Sequence, residues 1–134
     1  MRRLLSLLSL WLALGAAARA ADTTPFFRMG EPNILVATAA PQQYQITQPV
    51  GATSYRGVNP CVHDIRVKSV MAIGDTVTAT TGTRFLARTS EVLASSPQMT
   101  NPRVVSIMVV PHAGGPAIPA GFSCPFELTY GSGQ

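Results

Sequence analysis

The sequence predicts a small all-β protein, two sheets packed face to face and held by one disulfide. Three observations carry that expectation. Short runs with strand-like alternation recur along the chain, punctuated by 11 glycines and 11 prolines, and no run has the length and period of a convincing helix. Two cysteines are present, Cys61 and Cys124. The chain opens with an export signature, which places those cysteines in an oxidising compartment, where pairing is the default.

The export signature has three parts. Met1-Arg2-Arg3 is a basic segment, Leu4 to Gly15 is apolar, and Ala18-Arg19-Ala20 forms an A-x-A cleavage site. That is the pattern of a secretory signal peptide over residues 1–20, cut between Ala20 and Ala21. An uncleaved membrane anchor is the competing reading, but the apolar run has 12 residues, and about 20 are needed to span a bilayer. The mature form is expected to have 114 residues and no transmembrane helix. Cleavage removes three of the ten basic residues (Arg2, Arg3, Arg19) and none of the six acidic ones, so the net charge falls from +4 to +1. The basicity of the whole chain therefore gives no argument for nucleic acid as a partner.

Residues 21–60 are punctuated by Pro25, Pro32, Pro41, Pro49 and Pro60. Proline interrupts helices and central strands, so this region reads as an extended arm or as edge strands, with short candidates at Asn33–Thr38 and Tyr44–Thr47. Residues 61–134 read as the sandwich core. From Cys61 onward, Ile65 and Val67 share an inward face, and Arg66 and Lys68 an outward one. Gly74-Asp75 suggests a hairpin turn into a strand over Thr76–Thr80, because glycine accepts positive φ. Gly82 marks a second turn or bulge before Arg84–Ala87. The run "TSEVLASS" from Thr89 fits a strand or one helical turn. "RVVSIMVV", Arg103 to Val110, is apolar on both faces, as a doubly covered central strand is. "PHAGGPAIPAG" is a stiff loop. In "CPFELTYGSGQ" the residues Cys124, Phe126, Leu128 and Tyr130 alternate with Pro125, Glu127 and Thr129, which gives a last strand with one buried face.

Six or seven short strands point to an immunoglobulin-like or pilin-like β-sandwich in the loose sense. A true immunoglobulin domain carries a buried Trp and a Tyr two residues before its second Cys. Here Phe122 takes that Tyr position, and Trp11, the single tryptophan, lies in the leader. A Cys61–Cys124 bond closes a loop for which the chain-entropy argument gives roughly 4 kcal/mol. A redox or nucleophilic thiol is the alternative, but no C-x-x-C is present.

Signatures of catalysis are missing. His63 and His112 are the only histidines. Cys124 is followed by no His or Met, as a type-one copper loop requires, and a zinc site lacks two ligands, so no metal or other cofactor is expected. His63 and Asp64 are adjacent and point to opposite faces of a strand. No G-x-S-x-G elbow occurs, and Asp64, Asp75, Glu91 and Glu127 stand apart. His112 reads as an exposed loop residue. The expectation is a protein that is not an enzyme.

What remains suits an interaction protein. "GFSCPFELTYGSGQ", Gly121 to Gln134, resembles the C-terminal strand of chaperone–usher pilus subunits, with a Gly upstream of alternating apolar residues and a Tyr near the end. It departs from them in two ways: Tyr130 is not next to last, and Cys124 lies in the last strand. The leader, the Gln/Thr-rich "APQQYQITQP" and this strand together resemble small holdfast-anchoring proteins of stalked bacteria, of the HfaA type, which are linked to curli and pilus-tip families. The resemblance implies an exported structural or anchoring subunit of a bacterial cell-surface attachment apparatus. It would sit at the cell surface, outer membrane or periplasm. Its partners would be other envelope or surface-fibre proteins, copies of itself, or polysaccharide. Strand addition would supply the contacts, through the strand bearing Phe122, Phe126, Leu128 and Tyr130, and next through Ile34, Leu35 and Val36. The alternative is a periplasmic small-ligand or glycan-binding module with Tyr44, Tyr55 and His112 as contacts.

Overall fold

The computed structural model of the chain describes residues 25–70, 74–95 and 102–133. The leader and its cleavage site lie outside the described residues. Those residues contain nine strands and no helix: β1 (Phe27–Arg28), β2 (Asn33–Thr38), β3 (Gln42–Ile46), β4 (Ser54–Asn59), β5 (Asp64–Val70), β6 (Thr83–Phe85), β7 (Thr89–Ala94), β8 (Arg103–Val110) and β9 (Ser123–Ser132). All pairings are antiparallel. The first sheet runs β1–β9–β4–β7, with β2 also paired to β9, and the second runs β3–β8–β5–β6. The expected β-sandwich is thus the observed architecture.

β9 is the centre of the first sheet. β4 pairs with it over residues 127–131, and β1 and β2 pair with its opposite edge, at 131–132 and 123–128. Between β1 and β2 the four residues 29–32 lie opposite only Thr129 and Tyr130. Gly30 there takes a φ of 81°, so the arm bulges and then rejoins the ladder. Pro125 is tolerated in a central strand because it lies beyond the last residue pair with β4.

The core lies between the sheets. Leu35, Ala37, Phe126, Leu128 and Tyr130 face Ile65, Val67, Val105, Ile107 and Val109, all buried. The Cys61–Cys124 disulfide joins the loop after β4 to β9. Phe85 and Phe126 meet edge to face with ring centres 4.9 Å apart. They lie against the backbone of Gly57, where an added Cβ would come within 2.3 Å of Phe85 and 2.8 Å of Phe126. That close approach makes glycine necessary in the middle of β4.

The structure differs from the sequence reading in two places. Thr76–Thr80 is not a hairpin strand. Gly74 does have positive φ, at 106°, but β5 pairs with β6 instead, through Val67 and Thr83. Residues 74–82 cross the outer face of the second sheet. Val77 is buried there and donates its N–H to the buried Ser106 hydroxyl at 3.0 Å. Secondly, β4 occupies a stretch where no strand was expected, and β9 runs two residues past Tyr130. The run from Thr89, which fits a strand or one helical turn, is the strand β7 over Thr89–Ala94.

Candidate interaction edge and buried ion cluster

The residues expected to bind a partner fall into two groups. Phe126, Leu128 and Tyr130 are buried core residues, and β9 is already paired on both sides. Phe122 is half-buried just before β9 and stands edge-on against His63, with ring centres 4.9 Å apart. Leu35 is buried, but its neighbours Ile34 and Val36 are 60% and 43% exposed, and Phe27 on β1 is 63% exposed. These apolar side chains point outward from the strand at the rim of the first sheet. Among the described residues, β2 pairs only with β9, so its other edge is free of strands.

One contact closes that edge. Tyr44 projects from β3, where it pairs with Val105, across the side of the sandwich. Its hydroxyl accepts from the Val36 N–H at 3.2 Å and donates to the Val36 carbonyl at 2.9 Å. The turn beyond is tied by Thr38, whose hydroxyl donates to the Ala40 carbonyl at 2.7 Å and accepts from the Gln42 amide at 3.2 Å. On the outer face nearby, Arg56 pairs with Glu127 at 2.9 Å and lies 5.9 Å from the Phe26 ring centre.

Asp64 supplies the second feature. It lies on the outer face of β5, fully buried. Its carboxylate accepts from Arg84 Nε at 2.7 Å and from the Ala87 N–H at 2.8 Å. His112 Nδ1 lies 2.7 Å from Oδ1, the oxygen that also accepts from Ala87, while Arg84 binds Oδ2. Arg84 also donates to the Pro111 carbonyl at 3.3 Å. Burial works to raise the carboxyl's pKa, but the bonds from His112, Ala87 and Arg84 outweigh it and hold the group below its ordinary value. His112 is therefore no free loop residue: it anchors the Pro/Gly loop to the second sheet. An Asp–His pair resembles the base-orienting half of a hydrolytic triad, yet among the described residues no hydroxyl bonds to His112. The sequence held no signal for this cluster, because β5, β6 and the loop after β8 meet only through the fold.

A cleft of about 360 Å³ opens between the sheets, lined by Tyr55, Val67, Lys68, Arg103, Leu128 and Tyr130 among others. Lys68 pairs with Asp75 at 3.2 Å. Burial pushes the Tyr130 hydroxyl above its ordinary pKa, partly offset by Arg103. Of the three contacts expected for a ligand module, Tyr55 lies in this cleft, while Tyr44 stands at the β2 edge and His112 on Asp64. No group of three His, Cys, Asp or Glu side chains suited to a metal occurs among the described residues, and no described helix is long and apolar enough to cross a membrane. Comparison with protein families, curated proteins and solved structures gives no match.

Proposed function

We infer that the chain is an exported structural or anchoring subunit of a bacterial cell-surface attachment apparatus, and that it assembles through its strand edges. The observation that carries this reading is β2, an uncharged edge strand with Ile34 and Val36 exposed beside it. An exposed apolar edge is a pairing template that most monomers blunt with charge or proline. Strand addition to it gives affinity through main-chain bonds and selectivity through alternate side chains. The leader and the disulfide add support, since both suit an oxidising compartment outside the cytosol.

A second reading draws on the cleft. Its volume falls within the range of small-molecule sites, and the half-buried Tyr55 offers aromatic surface suited to a sugar face or similar ligand. This is the periplasmic ligand-binding module. Cell fractionation separates the two. The subunit reading expects the chain to sediment with the outer membrane in high-mass form. A chain that is wholly soluble and monomeric in the periplasm overturns it and favours the ligand module.

A further inference from the structure

The free edge of β2 is completed chemically by one side chain. In an antiparallel ladder, a residue facing its neighbour exchanges both an N–H and a C=O with it. Val36 makes this double exchange with the Tyr44 hydroxyl, since a hydroxyl both donates and accepts. Val36 faces away from β9, where its opposite number is Pro125, a residue with no N–H to offer. Tyr44 therefore occupies the place of one residue of a missing strand.

We propose that this edge is a pairing site for the same edge of a second copy of the chain, and that the Tyr44 hydroxyl is the stopper that leaves when the two join. The proposal rests on the strand-addition reading above and names its partner. The sequence of β2 is self-complementary in the required register. Ile34, Val36 and Thr38 share one parity, so a ladder centred on Val36 sets Val36 against Val36 and Ile34 against Thr38 of the other copy. The two-fold axis then stands perpendicular to the sheet, which keeps equivalent faces on the same side. Leu35 of one copy meets Ala37 of the other on the core side, large against small. On the outer side, Ile34 and Val36 of both copies merge into one apolar patch. Asn33–Thr38 contains no charge or proline, and Glu31 falls opposite Pro41, so no like charges meet. A charged extended segment from another protein finds no counter-charge on β2.

Sedimentation of the purified oxidised protein tests the proposal. Tyr44→Phe keeps the ring and removes the stopper's two hydrogen bonds. One stopper leaves each copy, so dimerisation is expected to tighten about a hundredfold, from four neutral bonds at the low end of ordinary strength. Adding Ile34→Lys and Val36→Lys to Tyr44→Phe is expected to leave the protein monomeric, because like charges then meet across the axis. Tyr44→Phe that sediments like wild type overturns the proposal, as does association that survives the two lysines. A second measurement keeps Tyr44 in place. Val36→Cys is expected to form a dimer linked through position 36 at least tenfold faster than Ser90→Cys, on the exposed surface of β7, because paired residues on the axis sit about 5.5 Å apart. Equal rates overturn it. Cross-linking of position 36 to another envelope protein in cells, with no dimer, also overturns it, and assigns the edge to a different extended segment. Membrane fractionation reads the broader subunit function independently, so either can fail alone.

Discussion

Asp64 keeps its charge inside the protein because several donors meet it there. A lone buried carboxylate takes up a proton; one bonded by Arg84, Ala87 and His112 does not. Its folded pKa lies below the ordinary value. The stability it contributes is therefore complete above the unfolded carboxylate value, about 3.9, and is lost as pH falls through the lower folded value. Asp64→Asn is expected to lower stability by about 2–3 kcal/mol at pH 7, at the low end for a broken buried pair because Arg84 and His112 are partly solvated. The difference from wild type should shrink below about pH 4. Urea unfolding at neutral and acidic pH reads both effects, and a variant as stable as wild type at pH 7 contradicts the assignment. Little of this was legible in the sequence. Asp64 opens β5, just after His63, but His112 and Asp64 are 48 residues apart, and no local pattern pairs them.

At the scale of elements, legibility follows side-chain pattern. Asn33–Thr38 coincides with β2, and the inward Ile65 and Val67 are buried as alternation demands. β4 was hidden because Gly57 interrupts its apolar pattern, and only the rings of Phe85 and Phe126 explain that glycine. The segment 74–82 alternates like a strand, yet it serves as a cover, with Gln43 accepting from the Gly74 N–H and donating to the Asp75 carbonyl. That cover accounts for β8. Val105, Ile107 and Val109 face the core, while on the outer face Ser106 is buried beneath Val77, Val110 is buried, and Val104 and Met108 are half-buried. The uncharged run from Val104 to Val110 has the composition of a cross-β segment, held between Arg103 and Pro111 as gatekeepers. Reducing Cys61–Cys124 removes roughly 4 kcal/mol from a total of about 5–15 kcal/mol and releases that run. Reduced protein is expected to form dye-binding, detergent-resistant aggregates where oxidised protein does not. Met108→Glu, half-buried and opposite Arg66, should suppress them. Equal aggregation of oxidised and reduced protein contradicts the enclosed-strand account.

The molecule as a whole is built from distant pairings. Every connection except β1–β2 and β5–β6 crosses from one sheet to the other. Such crossings leave no local trace, so the class of fold was readable from strand spacing while the sheet order was not. The same topology puts β9 in the middle of its sheet and the arm of β1 and β2 at its rim. The alternation of Phe126, Leu128 and Tyr130 reports burial, and cannot tell a central strand from one waiting for a partner. What the whole molecule offers to others is its edges, and large apolar side chains point outward at the rim formed by β1 and β2, at Phe27, Ile34 and Val36. The most direct test of the attachment-subunit account is surface adhesion by a strain lacking the chain, complemented with wild type or with Ile34→Lys/Val36→Lys. Both substitutions lie at exposed positions, where changes in stability are small, usually about 0.5 kcal/mol or less. The account predicts lost adhesion in the deletion, recovery with wild type and no recovery with the double variant. A deletion strain that adheres as well as its parent contradicts it.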